Sequence, residues 1–313
     1  MNPYKAILVG NGTMGKRHRA RFETCGVKFI AVADNQEEFD GIVDKLNIDF
    51  AVIASPATTH YAYAKFFLER KIPVFVEKPL ATTGHEAQEL VDLAKRSGVT
   101  LFVAQSECYN PLFLNFRKHF LAELNARLGA EGKLPADNVR LEFRREHRHS
   151  ERCRDVDVAL DLLVHDLSLF FTMFRAQDVK VQRFQMSPDN KDAAWMTLCV
   201  DGGEHCGVVA DFYVNRDSDC DVRTISVDFA RAVKPEGAIP ETSYTVSLAR
   251  YTPEGEIAHI PDSLDNEHRF FLKLLAGACT EWGHRAAQTA AVVIDVATQN
   301  FLFCMRNAKS SYK

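Results

Sequence analysis

The sequence predicts an α/β protein in which a doubly wound parallel sheet is followed by a second domain built on a mainly antiparallel sheet. Three observations support this fold class. The 313 residues exceed the usual size of one domain. Up to about residue 105 short apolar runs alternate with helical patterns, and beyond residue 179 strand-like runs follow one another between turn signals. We place the first domain at residues 1–107 and the second at residues 108–313.

The composition excludes several classes of protein. Hydrophobic residues make up 46% of the chain and charged residues 26%, which is ordinary for a folded globular protein and excludes a disordered or fibrous one. The net charge of −4 gives no general attraction for nucleic acid, so no nucleic-acid partner is expected. The eight cysteines contain no C-x-x-C pair, which argues against a disulfide framework or a metal site and favours reduced thiols in a cytoplasmic protein.

Membrane and secretion signals are also not expected. The best candidate span, Ala290–Met305, is broken by Asp295, Gln299 and Asn300 and stays short of the roughly 18 apolar residues that a membrane helix requires. A strand-like run, Ala6–Val9, begins almost at the N-terminus, where a signal peptide would carry its apolar core. The sequence therefore predicts neither a membrane anchor nor a secretion signal.

Strands and helices alternate in the first domain. Five short runs, mostly rich in Val, Ile or Phe, are apolar on both faces, as expected for parallel strands covered by helices on both sides. They are Ala6–Val9, Phe29–Ala33, Phe50–Ala54, Val74–Val76 and Leu101–Ala104. Helical patterns lie between them at Met14–Thr24, Glu37–Leu46, His60–Arg70 and Gly84–Ser97. The alternation predicts βαβ units in an open parallel sheet.

The second domain has a different pattern. Helical stretches are predicted at Pro111–Arg127 and Val156–Phe174, with a strand-like run at Asn138–Arg145 between them. From residue 179 to about 260 the pattern is mostly strands between glycine-containing turns, and Ser243–Leu248 alternates apolar and polar residues. Two helices, at about 265–275 and 286–306, end the chain and have the length to pack back on the first domain. The sequence predicts an α+β domain on an open sheet.

A glycine-rich loop, Gly10-Asn11-Gly12-Thr13-Met14-Gly15, follows the first strand and opens the first helix. In a Rossmann dinucleotide-binding domain the first glycine allows a tight turn, the second admits the pyrophosphate and the third lets the helix pack on the strand. Asp34 ends the second strand, where its carboxylate would accept hydrogen bonds from the adenosine ribose and repel a 2′-phosphate. The segment predicts NAD as cofactor, with NADP less favoured, bound by residues 10–15 and Asp34.

Four ordered motifs resemble those of the glucose–fructose oxidoreductase / inositol dehydrogenase / MocA family. The tripeptide Glu77-Lys78-Pro79 resembles the family's E-K-P signature, and Asp161-Leu162-Leu163-Val164-His165-Asp166 resembles its D-x-x-x-H-D helix. Ala54-Ser55-Pro56-Ala57-Thr58-Thr59-His60 is similar to a loop that passes beside the cofactor. Ser106-Glu107-Cys108-Tyr109-Asn110-Pro111 is similar to the segment that leads into the substrate domain. The resemblance is strongest over residues 5–175.

The resemblance implies roles for these residues. His165 would be the general acid/base, Lys78 would stabilise an alkoxide and join a proton relay, and Asp161 would orient substrate or histidine. Asp161 and His165 are also four residues apart, which places them on one face of a helix. Ser55, Pro56, His60, Glu77 and Lys78 would lie against the cofactor, although His60 also fits a turn before a helix and Glu77 an anchor of its own turn. The resemblance implies that the Lys78–Pro79 bond is cis.

Two departures from the family pattern qualify the comparison. Only about 15 residues separate Asp34 from Phe50, which is room for one short helix, so one edge strand is predicted to be missing or vestigial. The adenine end of the cofactor site would then be more open. Cys108 stands where the sugar-nucleotide branch often has arginine, which weakens the transfer of that branch's substrate.

Five arginines lie between residues 144 and 154, just before the predicted catalytic helix. Arginine forks suit carboxylates and phosphates, so Arg148 and Arg152 are candidate ligands for an anionic sugar. The alternative is a solvated face of ion pairs with neighbouring glutamates. Tyr109 and Asn110 are likewise candidates for substrate contact, or they simply start a helix. Both questions stay open at the level of the sequence.

The motifs together indicate an oxidoreductase that transfers hydride between a nicotinamide and a secondary hydroxyl or keto group of a sugar, nucleotide-sugar or cyclitol. Two alternatives share the fold. One is a non-catalytic regulator that binds NAD or a sugar, and the other is a reductase of a non-sugar substrate. The open face of the second sheet predicts self-association into a homodimer or homotetramer, against a monomer with that face solvated.

Overall fold

The structure is a computed structural model in which the described residues are 3–43, 47–128, 134, 139–150, 154–189, 191–229, 233–234, 237–238, 242–248, 251–252, 255–256, 262–277 and 280–298. The chain divides into two compact units. The first comprises Met1–Tyr109, Cys153–Val156 and Asp262–Thr298, and the second comprises Asn110–Arg152, Asp157–Pro261 and Gln299–Lys313. The domain boundary at residues 107 and 108 stays a prediction.

A five-stranded parallel sheet forms the centre of the first unit, as predicted. Its strands are β1 (Lys5–Val9), β2 (Lys28–Ala33), β3 (Phe50–Ile53), β4 (Val74–Glu77) and β5 (Leu101–Ala104). They lie in the order β2-β1-β3-β4-β5. Since β3, β4 and β5 are buried at every position, their sequences are apolar without alternation.

The helices of this unit are α1 (Thr13–Thr24), α2 (Gln36–Ile42), α3 (His60–Glu69) and α4 (Gly84–Ser97), with α7 (Ser263–Leu275) and α8 (Thr280–Ala297) from the end of the chain. Three of these helices begin directly after a residue whose side chain caps the helix N-terminus. The Asn35 side chain accepts the N–H of Glu38 at α2, Thr83 caps α4 and Asp262 caps α7. Residues 44–46 and 299–306, which the sequence assigns to helices, lie outside the described part of the chain.

The predicted loss of an edge strand is confirmed for the described residues. Between β2 and β3 they contain α2 and no strand, so β2 forms one edge of the sheet. The helix is held by Phe39, which is 2% exposed and packs edge-on against the ring of Tyr63 at 4.8 Å. A short helix thus replaces the helix–strand–helix that the family often carries here.

Aromatic rings form the core on one side of this sheet. Phe22 of α1, Phe50 of β3, Phe75 of β4 and Phe271 of α7 are all 0% exposed, and their ring centroids lie 5.1–5.9 Å apart in the contacts Phe22–Phe75, Phe22–Phe271 and Phe50–Phe271. Mostly edge-to-face rings at these separations pack favourably. The helix α7 therefore belongs to the core of the first unit, although it follows the second unit in the chain.

The second unit contains a six-stranded sheet in the order β13-β10-β6-β9-β8-β7. All neighbouring strands are antiparallel except β6 and β9, so the sheet is mainly antiparallel, as predicted. Its strands are β6 (Val139–Glu146), β7 (Val179–Met186), β8 (Ala193–Val200), β9 (Val208–Asn215), β10 (Val222–Phe229) and β13 (Thr242–Ser247). Two-residue strands form separate ladders at β11 (Val233–Lys234), β12 (Gly237–Ala238), β14 (Tyr251–Thr252) and β15 (Gly255–Glu256).

One face of this sheet is buried and the other is open. Burial alternates along β6 and β9, and Phe143 stacks on Phe212 at 4.7 Å on the buried face. The helices α5 (Pro111–Ala126) and α6 (Val164–Phe171) belong to the same unit. On the open face Trp195 is 41% exposed. Across the described residues, none of the helices combines the length and apolar character that a membrane crossing demands.

Candidate functional site

The glycine loop has the geometry of a pyrophosphate cradle. Gly10 has φ 92°, and a Cβ there would lie 2.4 Å from the backbone N of Ser55. A Cβ on Gly15 would lie 1.9 Å from the carbonyl oxygen of Gly10, so both positions require glycine. At Gly12, the N-cap of α1, a Cβ would meet nothing within 4 Å. Open space at the start of a helix, where backbone N–H groups lack helical partners, fits a dinucleotide phosphate.

Asp34 is held against this loop. Its Oδ1 accepts the backbone N–H of Asn11 at 2.7 Å, and its own N–H donates to the Glu38 carboxylate at 2.8 Å. The backbone N–H of Gly10 donates to Ala33 at 2.8 Å, which joins the ends of β1 and β2. The predicted acidic residue thus lies beside the glycine loop, where a ribose fits and a phosphate would be repelled by two carboxylates.

The loop after β3 is fixed by its own hydroxyls and by a histidine. Thr59 donates its hydroxyl to the Pro56 carbonyl at 2.7 Å, so Ser55 donates to Thr59, also at 2.7 Å. His60 is 1% exposed, and its two ring nitrogens lie 2.7 Å from the Pro79 carbonyl and 2.8 Å from that of Ser55. Burial lowers the pKa of His60, although both carbonyls oppose the shift. His60 therefore ties this loop to the turn after β4, while its predicted contact with the cofactor stays a prediction.

The turn Glu77-Lys78-Pro79 begins at the C-terminal end of β4, and the Lys78–Pro79 bond is cis, as the resemblance implies. The Glu77 carboxylate accepts the backbone N–H of Lys78 at 2.9 Å and contacts the His18 imidazole at 2.6 Å. Burial would raise the pKa of Glu77, but the hydrogen bond and charge of His18 outweigh it, and the pKa is lowered. These contacts support Glu77 as an anchor of its own turn, the alternative to a ribose contact.

Tyr109 and Asn110 occupy structural positions. Asn110 caps α5, where its side chain accepts the N–H of Leu112 at 3.0 Å and donates to the Leu248 carbonyl at 3.1 Å. The Tyr109 ring packs 5.4 Å from that of Phe270, and burial raises the pKa of its hydroxyl. Both side chains support the helix-start alternative that the sequence leaves open, and substrate contact by either stays a prediction.

Asp161 and His165 lie in two kinds of helix. Asp161 belongs to a π-helical turn, Ala159–Leu163, and His165 lies in the first turn of α6. The helical stretch predicted at Val156–Phe174 is thus helical over Ala159–Phe171, and the i→i+5 bonding of its first part widens the turn before the histidine. Asp161 is 7% exposed, whereas His165 is half-buried. Such turns are frequent at functional sites, which supports the assignment of both residues without testing it.

Arg216 is a neighbour of Asp161 that sequence reasoning missed. Its Nη1 lies 3.6 Å from the Asp161 carboxylate, and its Nε donates to Asp192 at 2.7 Å. All three residues are at most 8% exposed. A lone arginine after β9 carries no signal that it pairs with a helix more than fifty residues earlier, so only the tertiary structure reveals the group.

The arginine cluster is largely engaged within the second unit. Arg144 pairs with Glu146 at 2.5 Å, and Arg145, which is 2% exposed, pairs with Asp166 at 2.7 Å. The Arg148 side chain is 74% exposed and its Nε lies 4.0 Å from Asp221. Arg152 lies outside the described residues. These pairs favour the ion-pair alternative for Arg144 and Arg145, and the anion-binding roles of Arg148 and Arg152 stay predictions.

The described residues contain no group of three or more His, Cys, Asp or Glu side chains placed to hold a metal ion. The candidate site in the first unit thus consists of the glycine loop, Asp34 and the turn that carries Lys78. The second unit supplies a separate candidate group, which consists of His165, Asp161 and Arg216.

Comparison with known proteins identifies the N-terminal segment. Residues 14–105 match the model of an oxidoreductase family with an NAD-binding Rossmann fold. This model is that of the Gfo/Idh/MocA oxidoreductases. The resemblance inferred from the four motifs is thereby confirmed, and so is NAD binding as the character of the family.

Individual relatives extend the match. The UDP-N-acetylglucosamine 3-dehydrogenase of Acidithiobacillus ferrooxidans is 24% identical over 208 residues, which is 61% of this chain and 62% of that protein. The inositol 2-dehydrogenase of Acidothermus cellulolyticus is 28% identical over 190 residues, which is 53% of this chain and 52% of that protein. This chain thus spans less than two thirds of the length of these curated relatives.

A solved structure shares the fold over nearly the whole chain. A crystal form of the UDP-N-acetylglucosamine 3-dehydrogenase from A. ferrooxidans gives a TM-score of 0.68 at 21% identity, covering 96% of this chain and 97% of that chain. At this level of identity the likeness establishes the fold alone. The predicted fold class is confirmed.

Proposed function

We propose that this protein is an NAD(P)-dependent dehydrogenase or ketoreductase that acts on a secondary hydroxyl or keto group of a sugar, nucleotide-sugar or cyclitol. One observation carries the proposal. The glycine loop with Asp34 and the turn that carries Lys78 follow the C-terminal ends of β1, β2 and β4 in one parallel sheet. Ligands of open α/β sheets bind at this edge, so a cofactor on the loop would place its reactive ring within reach of the turn.

The residues fit NAD better than NADP. Gly12 leaves open space for the pyrophosphate, Gly10 and Gly15 allow the tight packing of the loop, and Asp34 is hydrogen-bonded to the loop where it would accept from the ribose hydroxyls. The bound nicotinamide would accept a hydride from the substrate carbon or return it. One relative, the scyllo-inositol 2-dehydrogenase IolU of Bacillus subtilis, is named as NADP(+)-dependent and is 35% identical over 71 residues, so both cofactors belong in the test.

The proposed proton chemistry belongs to Lys78 and His165. His165 takes the hydroxyl proton as general base or returns it as general acid, for which imidazole suits because its ordinary pKa lies near neutrality. The Lys78 ammonium donates a hydrogen bond to the same oxygen and stabilises the alkoxide as charge develops. Asp161 orients the substrate or the histidine, and the buried guanidinium of Arg216 lies 3.6 Å from its carboxylate.

Cofactor reduction tests the proposal. Absorbance of the reduced nicotinamide is followed with sugars, inositols and nucleotide-sugars, for the wild type, His165→Asn and Lys78→Met. Each variant should lower kcat about 100-fold to 10,000-fold, the usual contribution of a general acid–base group. The matched controls are His119→Asn and Lys118→Met, two exposed positions on α5. A substrate that turns over at wild-type rate in both test variants would refute the assigned roles.

We further propose that the open sheet face associates with a second copy of the chain. Trp195 is 41% exposed there, and its ring lies 5.2 Å from that of Tyr213. Exposed aromatic surface of this kind is unfavourable in water and often marks a site of protein association. Light scattering on wild type and Trp195→Glu measures the mass. A dimer or tetramer that dissociates in the variant supports the proposal, and a monomeric wild type contradicts it.

A further inference from the structure

A chain of buried side chains joins three elements of the first unit. His18 of α1 lies 2.6 Å from the Glu77 carboxylate through Nε2, and 2.9 Å from Nε2 of His268 on α7 through Nδ1. His268 reaches the Leu264 carbonyl at 2.5 Å through its own Nδ1. Both histidines are 0% exposed and Glu77 is 8% exposed. The chain ends at the backbone N–H of Lys78, which donates to Glu77 at 2.9 Å.

The hydrogen-bond partners determine where the protons lie. The Leu264 carbonyl only accepts, so Nδ1 of His268 carries a hydrogen. Burial, and then the charge of His18, lower the pKa of His268 to about 3, so this ring is neutral at pH 7 and its Nε2 accepts. Nδ1 of His18 must therefore donate. One further proton remains for the contact between Nε2 of His18 and Oε1 of Glu77.

The Glu77 carboxylate is the acceptor of this contact. The pKa of Glu77 is lowered in spite of its burial, so one carboxylate oxygen accepts from Nε2 of His18 and the other accepts from the backbone N–H of Lys78. Glu267 also faces this group, and burial, followed by the charge of Glu77, raises its pKa well above the ordinary value. Lys78 and His60 favour the Glu77 carboxylate, and Arg21 disfavours a charge on His268.

We infer that His18 and His268 are positioning residues for Lys78, and that they act through the Glu77 carboxylate. Nε2 of His18 holds one carboxylate oxygen while the other holds the backbone N–H of Lys78, and His268 fixes the ring of His18. Because His18 lies on the helix that the glycine loop opens, the same helix presents N–H groups to the cofactor and orients the lysine turn. The inference rests on the proposed role of Lys78 only for its catalytic consequence.

The protonation states are tested without turnover. In the full chain with ¹⁵N-labelled histidine, NMR spectra at pH 7 should show His18 protonated on both nitrogens and His268 as the neutral Nδ1–H form. Glu77→Gln retains every hydrogen bond, because the amide oxygen can accept from Lys78 and the amide N–H can donate to His18. His18 should then become neutral with its proton on Nδ1. A neutral His18 in the wild type would overturn the inference.

The positioning itself is tested by hydrogen exchange at the Lys78 amide. His18→Phe keeps a ring beside Phe75 and His268 but removes both hydrogen bonds, and it should speed exchange of this amide at least about tenfold. Phe50→Leu is the matched control, because Phe50 belongs to the same core and its ring contacts are with Tyr4, Phe22 and Phe271 rather than with His18 or His268. Unchanged exchange in folded His18→Phe, or equal acceleration in both variants, would overturn the inference.

Activity adds a separate readout. With myo-inositol or UDP-N-acetylglucosamine as the probe that turns over, His18→Phe should lower kcat about tenfold or more and leave the KM for NAD within about threefold. Phe50→Leu should retain kcat. Wild-type kcat in folded His18→Phe would refute the catalytic consequence. If neither probe turns over in the wild type, the NMR and exchange results still decide the inference, so its failure is distinguishable from that of the proposed function.

Discussion

Replacing the buried Glu267 by glutamine should stabilise the protein increasingly as pH rises. Glu267 lies on α7 and is 0% exposed, and burial, reinforced by the negative charge of Glu77, raises its pKa well above the ordinary 4.5. The folded state therefore keeps a proton that the unfolded state loses above pH 4.5. Folding stability is fully present below that pH and falls by about 1.4 kcal/mol per pH unit above it, until the pH passes the raised folded-state pKa. Glutamine has the same shape and no proton to lose, so this slope disappears.

Urea unfolding followed by circular dichroism, from about pH 5 to about pH 7, measures the effect. The free-energy advantage of Glu267→Gln over the wild type should grow with pH at up to about 1.4 kcal/mol per pH unit, until the pH reaches the raised pKa of Glu267. Glu69→Gln makes the same substitution at an exposed position of α3 and should leave the two stability curves parallel. An advantage that stays constant, or that shrinks as pH rises, would show that Glu267 is ionised in the folded protein.

Three further outcomes are expected. Asp34→Ala should lower the preference for NAD over NADP at least about tenfold, measured by titration calorimetry, because the repelling carboxylate is gone. Gly12→Ala should keep the wild-type free energy of unfolding, since its Cβ would enter open space, but it should lose NAD affinity because the Cβ would occupy the space for the pyrophosphate. Gly15→Ala should lose about 1 to 3 kcal/mol of stability, because its Cβ would overlap the backbone of Gly10. Arg216→Met should cost about 3 to 5 kcal/mol in urea unfolding, because two buried carboxylates lose their shared cation.

Each of these predictions has an outcome that contradicts it. An unchanged cofactor preference in Asp34→Ala would show that the Asp34 carboxylate does not contact the ribose of the cofactor. Unaltered NAD affinity in Gly12→Ala, or full stability in Gly15→Ala, would contradict the packing of the glycine loop. If Arg216→Met has the same free energy of unfolding as the wild type, the ion pairs of Arg216 with Asp161 and Asp192 make no net contribution to stability.

The first sheet was predictable because its strands are buried on both faces. Uninterrupted apolar runs such as Phe50–Ile53 and Leu101–Ala104 have no solvent side, so their composition marks them directly. The short distance from Asp34 to Phe50 was equally informative, because chain length alone limits what fits between two strands. The ends of the helices were harder to predict. The helix α2, for example, begins at Gln36 because the Asn35 side chain caps it.

The candidate site was predictable only where its chemistry is local. The glycine loop and the E-K-P turn are each one contiguous stretch of residues, so both can be recognised from the sequence alone. The bond between His18 and His268 joins residues 250 positions apart, and nothing near either histidine indicates the other. Arg216 and Asp161 are a similar case. Buried polar groups of this kind find their partners through tertiary packing, which hydrophobic periodicity does not encode.

The π-helical turn at Ala159–Leu163 makes the spacing of Asp161 and His165 sensitive to a change in chain length rather than in composition. Deleting one residue within this turn would let an ordinary α-helix form, and each residue of an α-helix turns the chain by about 100°. If the lost residue is Leu162 or Leu163, the aspartate and the histidine would be three residues apart, a spacing that still places both on one face of an α-helix. Among homologous chains, a single-residue gap at this point would therefore mark members in which an ordinary α-helix replaces the π-helical turn while both groups keep their common face.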